Sequence, residues 1–377
     1  MTTPSAIDAD LLARVRLACV PGVGPRLRQL LLERFGSHRG VFAAAAGDIA
    51  AIPRIGPKTA AAIVDPALER TAGAVIELCG RRGVAILAVG EEDYPPLVSR
   101  IDDPPGILFV RGTIERCDSL AVAIVGARHA TAYGRKVAWQ LAGGLARAGY
   151  TVVSGLARGI DAAAHRGALD AGGRTLAVLG NGVLRVYPPE HADLATEVAA
   201  RGAVISEAVP LAEPTPGCFP QRNRLISGLS LGTVVVEASS RSGALITART
   251  AGEQGREVFA VPGPIDSRMS RGCHDLIRDG ARLVQSVDDV LEELGPLFEA
   301  TASPAGRTIQ SPAELQLDDV ERRVLDACDA IRADGPVPID DVVVASGLAV
   351  SQVIATVGVL EMRRIIRRLP GNQVERR

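Results

Sequence analysis

A chain of 377 residues that is 47% hydrophobic but only 3% aromatic has the length for two or three domains, with cores built mainly from Ala, Val, Leu and Ile. Its formal net charge of -1 excludes a uniformly basic nucleic-acid binder, although local patches survive within a neutral total. The six cysteines form no C-x-x-C pair, no apolar run reaches transmembrane length, and the first ten residues lack the basic start and apolar stretch of an export signal, so a reduced, cytoplasmic protein without a membrane span is expected.

Residues 11–32 carry helical apolar spacing, broken by Pro21-Gly22-Val23-Gly24-Pro25. A second version follows at Ile52-Pro53-Arg54-Ile55-Gly56-Pro57-Lys58-Thr59-Ala60. Both are similar to a helix-hairpin-helix, whose hairpin offers backbone N–H groups to a phosphate without reading bases. Two tight turns in a small helical packing unit are the other reading, and the two stay open.

Short strands are predicted at 84–89 and 107–110, flanking a sheet that starts at Leu120. There, 121–125 reads as a strand, 133–148 as a helix and 150–153 as a second, parallel strand. Both strands are apolar on successive residues, as in a parallel sheet covered on both faces. Further strands at 175–179, 203–206, 233–237 and 257–261 alternate with helix-length stretches. The expectation is a doubly wound, mostly parallel α/β sheet of about six main strands.

Residues 298–318 have no apolar period and read as a flexible linker. Helices are predicted at 320–331, 339–346 and 350–366, followed by a turn at Pro370-Gly371-Asn372. This order is similar to a winged helix with 351–364 in the recognition position, and Arg363, Arg364, Arg367, Arg368, Arg376 and Arg377 make its end basic. A solvated face on a protein-binding winged helix explains the same residues. The expected divisions are 1–80, 81–297, 298–318 and 319–377.

Ligands of open α/β sheets lie at the carboxyl ends of the strands, and there the chain repeatedly places glycine and arginine. The row is Arg128, Arg158, Arg185, Arg222 with Arg224, then Arg241. These six are expected to converge on a polyanion, helped by N–H groups at the glycine turns and at the helix starts after Ser154 and Ser242. Pairing with Asp161, Glu190, Glu207 or Glu237 would divert one or two of them to tying loops. Phe219 beside Arg222, Asn223 and Arg224 can stack a base, neutralise phosphate and bond a base edge, a mixture suited to single-stranded nucleic acid. Taken alone, Phe219 reads as a core residue.

Enzymatic signatures are missing. There is no G-x-G-x-x-G after the first strand of the sheet, no G-x-x-x-x-G-K-[ST], and no G-x-S-x-G around Ser154. Asp161 and His165 stand four apart without a third ligand, and Asp161 fits a helix-start residue better. No catalytic residue, metal or cofactor is expected.

The segments Ile124-Val125-Gly126-Ala127-Arg128, 154–165, Phe219-Pro220-Gln221-Arg222-Asn223-Arg224, 242–248 and 254–263 resemble the DNA-processing protein A (DprA/Smf) family. The likeness runs from about residue 120 to 294 and is weaker in the flanks. It implies an extended Rossmann-like domain, homodimers, single-stranded DNA binding, and loading of the recombinase RecA onto incoming strands in natural transformation, without enzymatic turnover. Carried over by motif, Gly126, Arg128, Ser154, Gly155, Arg158 and Gly159 would hold phosphates. Phe219, Arg222, Asn223 and Arg224 would hold the strand and a base, with Arg241, Ser242 and Gly243 beside them. Ala127, Cys218 and Gln221 depart from the family's common Ser, Asn and basic residue. A Rossmann-like phosphoribohydrolase is the competing class, but its P-G-G-x-G-T segment is absent. An adaptor whose terminal domains recruit partners is a third.

Overall fold

The computed structural model describes residues 8–295, 301–302, 308–309, 314, 317–331, 335–363 and 365–376. Six helices come first: α1 (Ala9–Ala18), α2 (Pro25–Phe35), α3 (His38–Ala43), α4 (Ala46–Ala50), α5 (Pro57–Val64) and α6 (Ala67–Arg82). Both predicted hairpin turns form. Extended Gly24 and Gly56 precede α2 and α5, and the next proline takes the first helical position, where its missing N–H costs nothing. Leu17, Leu31, Val41, Ile49 and Ile63 fill a core of their own. Val15 of α1 and Ala72 and Cys79 of α6 instead pack on the sheet, so the helices are fastened to it.

The sheet begins with β1 (Val84–Ala88), a short helix α7 (Pro96–Ser99) and β2 (Ile107–Gly112). It continues through β3 (Ala121–Val125), α8 (Ala132–Arg147), β4 (Thr151–Ser154), α9 (Ile160–Asp170), β5 (Thr175–Leu179), α10 (Ala192–Arg201) and β6 (Ala203–Ser206). The second half is α11 (Cys218–Gly228), β7 (Gly232–Val235), α12 (Gly243–Glu253), β8 (Glu257–Ala260), α13 (Arg271–Arg278), β9 (Arg282–Leu283) and α14 (Val287–Leu294). The nine strands are ordered β1-β2-β6-β5-β4-β3-β7-β8-β9. The edge strand β1 pairs antiparallel with β2 and β2 antiparallel with β6, and every other pairing in this sheet is parallel. At two residues, β9 is too short to leave a sequence pattern.

Alternate residues of β3 explain its unbroken apolar run. Val122 and Ile124 pack with Leu141 and Leu145 of α8, Ile160 of α9 and Val290 of α14. Ala121, Ala123 and Val125 face Leu225 of α11, Ala248 of α12 and Cys273 of α13. From β3 the chain winds outward through β4 to β6, then crosses back to wind the other way through β7 to β9. The strand order therefore reverses between β3 and β7, the place where open α/β sheets leave a crevice.

Most of the predicted linker lies outside the described residues; within it, β10 (Thr301–Ala302) pairs antiparallel with β11 (Thr308–Ile309). Then follow α15 (Asp319–Ile331), β12 (Val337–Pro338), α16 (Ile339–Ser346), α17 (Val350–Met362), β13 (Ile366–Leu369) and β14 (Gln373–Arg376). The third helix was expected to reach Ile366 but stops at Met362. Ile366 instead opens a hairpin around Gly371 and Asn372, both at positive φ, and sheet pairing overrides the helical period. Among the described residues no single helix is long and apolar enough to cross a membrane; α16 and α17 meet at 113° and bury Val342, Val353, Val357 and Leu360 in a local core.

Candidate nucleic-acid interface

A cavity of about 820 Å³ opens at the reversal point, walled by the loop after β3, the loop after β7, and the starts of α11 and α12. Arg128 enters it from the first loop, exposed, with its guanidinium 5.0 Å from the centroid of the Phe219 ring. Phe219, in the first turn of α11, is half-buried and is no core residue. Its ring lies 5.7 Å from that of Tyr187, tilted by 40°. Asn223, one turn along α11, donates to the Gly243 carbonyl at 3.4 Å and so links α11 to the start of α12. Ser242 caps α12 through the Ala244 N–H, while the Cβ position of Gly243 faces open space.

The protein's own carboxylates fill two positions where phosphates bind in many α/β folds. Glu237, buried after β7, accepts from the N–H of Thr131 at 2.9 Å and its hydroxyl at 2.6 Å, at the start of α8. A Cβ on Gly134 would lie 2.4 Å from that carboxylate. Asp161, buried in the first turn of α9, accepts from Gly155 N–H at 3.1 Å and Ala157 N–H at 3.3 Å. Burial pushes its carboxyl up, against the opposing pull of Arg222 and these two donors. A diphosphate seated as in dinucleotide enzymes would displace both carboxylates.

Several of the residues assigned to the ligand are engaged within the fold. In the turn from Ser154 to Arg158, the Gly155 and Ala157 N–H groups serve Asp161, and the buried Ser154 hydroxyl donates to the Ile124 carbonyl at 2.6 Å. Gly126, Gly155 and Gly159 allow close packing. A Cβ at Gly126 would meet Ile160 at 2.6 Å, one at Gly155 the Arg222 guanidinium at 2.5 Å, and one at Gly159, where φ is +79°, the Ala127 carbonyl at 2.2 Å.

Four of the six strand-end arginines are likewise engaged. Arg158 pairs with Glu190 and Arg185 with Glu213, while Arg224 is 8% exposed and held by Glu207 and, at 3.2 Å, Asp103. Arg222 was expected on a ligand-edge loop. It lies on α11, 7% exposed, donating to the carbonyls of Gly155 at 2.8 Å and Val178, with Asp161 as its electrostatic partner. Burial lowers its pKa, and a guanidinium so enclosed needs all of these acceptors. Among the described residues, Arg128 and Arg241 have no carboxylate partner; Arg241 is exposed in the turn before Ser242. His165 is a core residue: burial holds it neutral, its pKa pushed down to about 3, and Nδ1 meets Thr175 Oγ1 at 2.7 Å.

Sequence reasoning missed Tyr187 and Glu237's role. The signal for Tyr187 was its place in the loop after β5, in a chain with only four tyrosines. At the C-terminal end, Arg363, Arg367, Arg368 and Arg376 pair with Glu321, Glu375, Glu361 and Glu314 respectively, so those charges are spent on the winged-helix fold itself. Arg364 and Arg377 lie outside the described residues.

Comparison with known proteins gives the same architecture. Residues 85–295 match the family model of DNA recombination-mediator protein A, 309–372 that of the DprA winged helix domain, and 15–67 a SAM-like helix-hairpin-helix tandem. Protein Smf of Synechocystis sp. is 32% identical over 95% of this chain and 96% of its own. The X-ray structure of DprA from Streptococcus pneumoniae superposes with a TM-score of 0.61 at 35% identity, covering 74% of this chain and 95% of that one. DprA from Helicobacter pylori, whose structure addresses its single-stranded DNA binding mode, matches with a TM-score of 0.52 at 28% identity over 57% of this chain and 97% of its own. On the first family model and this end-to-end relationship, the chain belongs to the DNA recombination-mediator protein A (DprA/Smf) family.

Proposed function

We propose that this protein is a single-stranded DNA-binding recombination mediator that protects incoming strands and loads RecA in natural transformation. It works as a cytoplasmic homodimer and catalyses no reaction. The observation that carries the binding step is the pairing of an uncommitted cation with an aromatic shelf. Arg128 stands over Phe219 beside Tyr187 in an open crevice, while the neighbouring helix starts are stoppered by Glu237 and Asp161. An unpaired base can stack on such a ring while its phosphate meets the free guanidinium, and a duplex cannot deliver its bases there. The Helicobacter pylori relative's single-stranded DNA binding mode supports the same choice of ligand. RecA loading rests on family membership alone.

A labelled single strand, the matching blunt duplex and AMP are titrated separately against the protein. Preference for the single strand, weakening steeply with salt, is expected. Equal affinity for duplex sinks the reading, and tight AMP binding with turnover moves the protein to the phosphoribohydrolase class. RecA filament assembly on a strand coated with single-strand-binding protein tests the mediator step, which fails if the protein does not accelerate it.

A further inference from the structure

A second cavity, of about 400 Å³, lies between the first hairpin and the carboxyl ends of β5 and β6. It is separated from the groove by the run Pro220-Gln221-Arg222. Arg28, from α2, lines it with a half-buried guanidinium that donates to the Pro104 carbonyl but meets no carboxylate among the described residues, and its Nε has no partner. His38, from α3, also lines it, only 7% exposed, and its buried Nε2 has no partner either. Glu207, which lines the same cavity, is bonded to Arg224 and also attracts Arg28 through space, while Asp10 is taken by Arg14 at 2.6 Å.

We propose that this cleft is a phosphate site sized for one nucleotide, with Arg28 and His38 holding the phosphate and Leu17, Leu179 and Leu225 walling the sugar and base. Two buried donors that line one cavity, Arg28 Nε and His38 Nε2, have no acceptor, and a phosphate oxygen supplies one to both. His38 donates through Nε2–H as a neutral ring, since burial and the neighbouring Arg14 and Arg28 pull its pKa down to about 4. The phosphate comes either from a free nucleotide or from the backbone of a strand that continues from the groove; the second source rests on the function proposed above.

The test reads the five histidine rings of the full-length chain by heteronuclear NMR, with His38 assigned through His38→Gln. Thymidine 5′-monophosphate should shift the His38 ring, and unphosphorylated thymidine should not. Arg28→Gln should weaken the nucleotide by about tenfold, the loss of one charge-assisted hydrogen bond. The unsubstituted protein gives the direct reading even if that variant folds poorly. A shift only with an oligothymidylate long enough to leave the groove assigns the site to a continuing strand, and Arg128→Ala should then abolish it. A His38 ring unmoved by millimolar mononucleotide and by saturating oligonucleotide overturns the cleft proposal. If that oligonucleotide binds tightly meanwhile, the groove reading stands without it.

Discussion

The crevice between β3 and β7 and the C-terminal winged helix are both rich in arginine, yet they use it in opposite ways. Around the crevice, most arginines are consumed by loop carboxylates and backbone carbonyls, and Arg128 and Arg241 are left over. In the winged helix, Arg363, Arg367, Arg368 and Arg376 each face a carboxylate. A guanidinium can steer a polyanion only with the charge its own protein has not neutralised, so the count of arginines says less than the list of those without partners.

The largest effect is expected inside the crevice wall rather than in it. Arg222→Glu puts a carboxylate beside buried Asp161 and against two carbonyls. Such a change costs about 3 to 5 kcal/mol, or roughly a 10 °C fall in melting temperature. A variant that melts like the parent while losing oligonucleotide would return Arg222 to the ligand and blur the distinction between spent and free arginines.

Next comes the free charge itself. Arg128→Ala removes one charge-assisted contact, worth roughly 1.5 to 3 kcal/mol, so affinity for a single strand should fall about ten- to a hundredfold. The salt slope should flatten by about one unit and the melt should not move. Phe219→Ala should cost about 1 to 3 kcal/mol if one base stacks there, and Phe219→Tyr should restore most of it. Both are read by fluorescence anisotropy with a melt as control. Unchanged binding in both variants would place the strand elsewhere on the protein.

What the sequence disclosed follows how far apart cause and effect lie along the chain. The parallel sheet was legible because each strand is a local apolar run, and Arg128 because it closes a glycine turn. Asp161 was legible too, since the Gly155 and Ala157 N–H groups it takes lie within six residues. Arg158 and Glu190 are 32 residues apart, Arg185 and Glu213 are 28, and Thr131 and Glu237 are 106, so no spacing rule links them. Arg222 misled for a related reason. All three of Phe219, Arg222 and Asn223 border the crevice, but the Arg222 guanidinium is buried on the carbonyls of Gly155 and Val178.

The smallest effect should come from the winged helix, although it is the most arginine-dense part of the chain. Its core is drawn from residues between Leu317 and Val374, so it can fold as its own unit. Exposed residues of α16 and α17 include Val344, Val350, Ile354 and Met362 beside Asp340, Asp341 and Glu361, and neither helix carries a Lys or Arg where a DNA-reading helix needs cations. Ending the chain before Ser303 should therefore change single-strand affinity by less than about twofold, within the 0 to 1 kcal/mol typical of surface ion pairs. Arg367→Ala or Arg368→Ala in the full chain should be as mild, since each removes a charge already matched by Glu375 or Glu361. The reading is an oligonucleotide titration of truncated and full chains at the same low salt, where unpaired charges count most. A tenfold loss on truncation would mean that the winged helix holds DNA through residues other than the paired arginines. The crevice would then be only part of the interface.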